Sequence, residues 1–204
     1  MTAGTAAATT DRSDFRHILV SGTLLGAAVA AAVVVYLLVS RFVPVGIAQS
    51  LLQSVVVLAA AVVASLLPAQ WTTARSTQGI AGAAAVGLWG TIVFMAIDII
   101  ALRPLKAYPW TWDAVGGGST WWYLPIWWML GTFAAWMGGM YTAGRAARSA
   151  TSLASLATPL LVGAVVLAAV SQLARLGVYL PVAVGGGYAL TLTVLAVVAI
   201  ARKA

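Results

Sequence analysis

The side chains able to do acid, base or metal chemistry are few. Asp11, Asp14, Asp98 and Asp113 are the only acids, glutamate and cysteine are absent, and His17 is the one histidine. Of the four carboxylates only Asp98 falls inside an apolar run, Met95-Ala96-Ile97-Asp98-Ile99-Ile100. An unpaired carboxylate in hydrocarbon is costly and tends to take up a proton, so Asp98 could be a proton site, a cation site or a ligand contact. The competing role is an ion pair. Arg41 and Arg175 fall at the same depth on other apolar runs, and Arg103 follows closely in sequence. Three arginines at one level outnumber one acid, which favours a pair that clamps helices.

His17 stands at the edge of the first apolar run, with Asp11 and Asp14 in the polar tail beside it. A metal, haem or pigment site would need further ligands, so the expectation is an interfacial histidine. Gln49 and Gln53 are four apart and share a helix face, where they could line a polar cavity or hydrogen-bond across helices; the second is favoured. Seven of the nine tryptophans lie between Trp110 and Arg145. Trp110, Trp112, Trp121, Trp122, Trp127 and Trp128 could stack on a flat or cationic ligand. They also fit an aromatic belt at the membrane boundary that packs on a neighbouring subunit, and that role needs no ligand. Met129, Met137 and Met140 read as packing rather than as axial ligands. Gly116-Gly117-Gly118 is not followed by Lys and Ser or Thr, and there is no HExxH pair. The absence of these motifs argues against autonomous catalysis and gives no reason to expect a cofactor.

The elements that must position these residues are set by composition. The chain has 204 residues, 62% hydrophobic and 7% charged, far from the roughly 25% charge of soluble domains. Such a chain is expected to be all-α, a polytopic integral membrane bundle. Six apolar runs, 18–41, 46–67, 79–102, 124–144, 157–175 and 180–201, are each long enough for about 30 Å of hydrocarbon. Residues 1–17 form a polar tail and 18–204 the transmembrane domain. Pro44 forces a tight hairpin between the first two spans, and Pro68 is expected to close the second. A Trp-rich interfacial loop joins the third and fourth spans. On the fourth, Gly131, Ala135, Gly139 and Ala143 recur every four residues and make a shallow ridge for helix packing or docking.

The net charge of +7 comes from arginines and lysines between apolar runs, which points to topology and lipid headgroups rather than nucleic acid. With six spans, Arg12, Arg16, Arg75, Arg145, Arg148, Arg202 and Lys203 share one side, and Arg41, Arg103, Lys106 and Arg175 share the other. That asymmetry places both termini in the cytoplasm, with a bacterial inner membrane as the expected setting. Two functions fit. One is a non-catalytic integral subunit packing, through the ridge and the Trp loop, against partner subunits of a larger membrane complex such as a bioenergetic one, or against a second copy. The other is a small transporter or membrane-embedded substrate-binding component, with the Trp loop as lid and Asp98, together with Gln172 or the arginines, as site.

Overall fold

The computed structural model describes residues 12–104, 123–147 and 152–202. Trp110, Trp112, Trp121 and Trp122, with the rest of their loop, lie outside these residues, as do Lys106, Arg148 and Lys203. The described residues form six helices: α1 (Phe15–Phe42), α2 (Ile47–Trp71), α3 (Thr77–Ile97), α4 (Tyr123–Ala146), α5 (Leu153–Leu173) and α6 (Leu180–Ala201). A single π turn, Asp98–Leu102, prolongs α3. All but α4 are long and apolar enough to cross a membrane, which marks an integral membrane protein. Within those five spans only 22% to 33% of the most apolar stretch is fully buried by the chain itself.

Local chemistry explains where the helices begin. Asp14 caps α1, its side chain accepting from the His17 N–H at 3.0 Å. Ser152 and Ser155 form a reciprocal capping box that starts α5 at Leu153, four residues before the apolar run suggests,. Pro159 then lies inside α5. The second span also differs from expectation, because α2 runs through Pro68 to Trp71. Proline lacks an N–H but has a helix-compatible φ. The turn closes only beyond it, where the Thr72 N–H and hydroxyl both donate to the Pro68 carbonyl. The Thr72 hydroxyl also reaches the Gly79 carbonyl at 3.0 Å and so knots α2 to α3.

Successive helices run in opposite directions. The His17 ring meets the Trp71 carbonyl at one end of the α1/α2 hairpin, and Gln49 meets the Ser40 carbonyl at the other. One end of the bundle thus carries the start of α1, the α2–α3 turn and the last turns of α4 and α6. The opposite end carries the α1–α2 turn, the π turn and the α5–α6 turn. The central helix is α2, which packs against each of the other five. Its Leu66 sits in the largest core cluster with Met137 and Tyr141 of α4, Leu156 and Leu160 of α5 and Tyr188 of α6.

On the other side of α2, helix α3 is gripped between α1 and α4 by close backbone approach. A methyl group at Gly26 of α1 would sit 2.5 Å from the Gly90 carbonyl oxygen, and one at Gly87 would sit 2.7 Å from that of Gly131. Both are well inside van der Waals contact. Lipid tails are as apolar as leucine, so helices here gain from packing rather than from leaving water, and small residues let the backbones meet.

Candidate functional site

Asp98 is buried, 3% exposed, and opens the π turn. Of its three candidate partners, Arg103 is brought to it, with Nε donating to Oδ2 at 3.0 Å. The π turn makes that contact. On an ideal α-helix a residue five places on is rotated by about 140°. The wider winding, with the Arg103 N–H donating to the Asp98 carbonyl at 3.0 Å, swings Arg103 back beneath Asp98,. Arg41 lies exposed in the last turn of α1, and Arg175 occupies a left-handed backbone position (φ 52°) beyond α5. Gln172 donates to the Val178 carbonyl at 2.8 Å, within its own turn. Asp98, Gln172 and the other arginines therefore form no common pocket among the described residues.

The glutamines serve as helix ties. Gln49 donates to the Ser40 and Val43 carbonyls, each at 3.0 Å, and so satisfies acceptors that the end of α1 leaves open,. Gln53 donates to the Ser40 hydroxyl at 2.8 Å, and its carbonyl oxygen accepts from the Tyr179 hydroxyl. One glutamine thus links α1, α2 and the start of α6. His17 joins the first turn of α1 to the last of α2 through its 2.9 Å contact with the Trp71 carbonyl. Among the described residues no three His, Cys, Asp or Glu side chains come together.

The ridge on α4 is occupied by the chain itself. Gly131 faces Thr91 and Gly87, Ala135 faces Gly87, and Gly139 faces Ala83 and Ile80, all on α3. Ala135 and Ala143 are buried. The opposite face of α4 is free and aromatic: Ile126, Met129, Leu130, Phe133 and Trp136 are exposed, with Trp127 and Trp128 on its flank. Trp127 also makes an edge contact with Phe94 of α3, ring centroids 6.3 Å apart.

Both rings line a cavity of about 240 Å³ between α1, α2, α3 and α4. Gly87, Gly90 and Gly131 line it as well, with Leu25 and Val29 from α1. The Thr91 hydroxyl on its wall already donates to the Gly87 carbonyl. Such a lining suits a hydrocarbon chain or an apolar ring and offers an ion nothing.

Two tryptophans lie near mid-helix and differ in one respect. The Trp89 indole N–H on α3 donates to the Thr23 hydroxyl of α1 at 3.1 Å. Trp136, near the middle of α4 and 45% exposed, has no hydrogen-bond partner for its indole N–H among the described residues. This contrast could not be read from the sequence, where both are tryptophans in apolar runs. No protein-family model, no curated protein and no solved structure matches this chain.

Proposed function

We propose that the chain is a non-catalytic, six-span integral membrane subunit whose aromatic α4 face docks against the transmembrane helices of a larger partner. The observation that carries this is Trp136. Trp136 is 45% exposed near the middle of α4 and its indole N–H has no acceptor among the described residues; in a bilayer an unsatisfied polar group at that depth costs several kcal/mol. Trp89, at similar depth, has its acceptor in Thr23. A neighbouring protein helix with a hydroxyl or carbonyl against α4 would do for Trp136 what Thr23 does for Trp89.

That α4 crosses the membrane is supported by its surroundings, because it is flanked by α2, α3 and α6. Its 24 residues extend about 36 Å at 1.5 Å per residue, enough for the hydrocarbon layer. The described arginines favour cytoplasmic termini: Arg12, Arg16, Arg75, Arg145 and Arg202 lie at the end that holds the start of α1, against Arg41, Arg103 and Arg175 at the other,. The carboxylate, imidazole and amide groups described above are engaged in caps and helix ties, which supports a structural role over a catalytic one.

A photo-crosslinking residue placed at Phe133, beside Trp136 on the exposed face of α4, tests this reading in the native membrane. The expected product is one discrete adduct with a different membrane protein, absent when the same residue replaces the lipid-exposed Val165 of α5. Adducts to lipid alone, or to a second copy alone, would count against it. The 240 Å³ cavity favours a second reading, a transporter or substrate-binding component for an apolar molecule. Saturable quenching of Trp127 fluorescence by a brominated fatty acid would support it, and a linear, unsaturable response would not.

A further inference from the structure

The most unusual polar group outside the regions above is Arg145, in the last turn of α4. Its Nε is sealed from solvent and has no hydrogen-bond partner among the described residues. It borders a cavity of about 120 Å³ between the ends of α4 and α6 and the first turns of α5. Arg202, immediately after α6, lines the same cavity. Gly144 lets the two helix ends close on each other, since a methyl group there would stand 2.5 Å from the Ala199 Cβ. The remaining wall is largely apolar, with Pro159, Leu195 and Val198, and includes Tyr141, whose hydroxyl donates to the Leu156 carbonyl at 3.2 Å. Neither described carboxylate pairs with them: Asp14 caps α1, and Asp98 pairs with Arg103 at the opposite end of the bundle.

We propose that this cavity binds a phosphate group between Arg145 and Arg202. An arginine near a helix C-terminus complements the terminal carbonyls, and that would account for a solvated guanidinium in either place. It does not account for a buried charged N–H without an acceptor, which carries a penalty of about 1–3 kcal/mol or more. Two guanidiniums, each a planar fork of donors, suit an oxyanion, and a tetrahedral phosphate offers both of them acceptor oxygens at once. The space exceeds that of a single bound water several-fold. Its position at the helix ends is the depth of lipid headgroups. The phosphate can come from a glycerophospholipid, with its acyl chains against Pro159, Leu195 and Val198, or from free inorganic phosphate.

The test uses the full chain, purified and stripped of lipid in detergent. Phosphatidylglycerol, a diacylglycerol of the same chains, and inorganic phosphate are offered separately, and binding is read by native mass spectrometry and by 31P line broadening. Phosphatidylglycerol retained at one per chain, with diacylglycerol not retained, is the expected result. Arg145→Gln should weaken that binding roughly tenfold or more, while Arg41→Gln at the opposite end leaves it unchanged. Arg145→Lys, which keeps the charge but loses the fork, should recover only part of it. Arg202→Gln changes an exposed side chain and serves as the second variant if Arg145→Gln misfolds; it too should lose binding. Retained lipid that millimolar phosphate does not displace identifies a headgroup site. Saturable phosphate binding without retained lipid, lost in the same variants, identifies a free-anion site. If neither phosphate source binds, or if both bind equally to wild type, Arg145→Gln and Arg202→Gln, the proposal is overturned.

Discussion

The two halves of the bundle solve one packing problem differently. Where α3 meets α1 and α4, glycines bring backbones together, and single side chains such as Leu25, Trp89 and Val93 seat directly against them. Where α2 meets α5 and α6, the space is filled by Leu66, Leu156, Leu160 and Leu192, with Tyr188 reaching across to the Ser65 hydroxyl at 2.8 Å. In lipid neither half draws on water for its stability, so both depend on contact. At its tightest points, Gly26 against Gly90 and Gly87 against Gly131, the backbone seam leaves little room to give, even with the 240 Å³ cavity beside it. A seam of side chains can repack by rotamer changes, so its losses should be graded where those of the glycine seam are abrupt.

The largest effect should come from enlarging the tight seam. Gly87→Leu would drive a side chain into Ala135 and the Gly131 carbonyl, and should cost about 3 kcal/mol or more. Loss of the monodisperse peak on size-exclusion chromatography would show it. Opening a hole in the other half should cost less: Leu160→Ala, at a fully buried position, is expected to lose about 2 kcal/mol yet remain folded, as measured by unfolding in mixed micelles. If the two variants proved equally damaging, the contrast between the halves would disappear. Tyr188→Phe removes only the bond to Ser65 and should cost about 0.6 kcal/mol in the same unfolding experiment. Smallest is Trp136→Leu on the outward face of α4. Its stability in detergent should stay within about 0.5 kcal/mol of wild type, while recovery of the partner in pull-down falls.

How much of this could be read from the sequence differs between the same two halves. Small residues at four-residue spacing announce that a backbone will come close, and Gly131, Ala135 and Gly139 do lie at such an approach. The spacing cannot say whose backbone it is. The neighbour is α3, whose Ala83 and Gly87 are spaced to match, so the face that α4 leaves exposed is the aromatic one opposite. In the other half the small residues Ala183, Gly187 and Thr191 of α6 mark a groove, and Gly187 does approach the Ala164 carbonyl of α5. The leucines and tyrosines that fill the rest gave no signal, because α5 and α6 are apolar on all sides. Asp98 could be recognised as a residue needing a partner. The choice of Arg103 over Arg41 and Arg175 depended on a π turn that a uniform helical period hides. Arg145 read simply as a charge that sets topology, since a sealed Nε is a property of packing alone.

The central claim is that the free face of α4 belongs to an interface with another membrane protein. Its most direct test is gentle extraction of the tagged native protein from its own membrane, with mass spectrometry of every chain recovered beside it. The account predicts a larger membrane protein in stoichiometric amount, whose recovery drops in Trp136→Leu. Recovery of the chain alone, monodisperse in the same mild detergent, would contradict it.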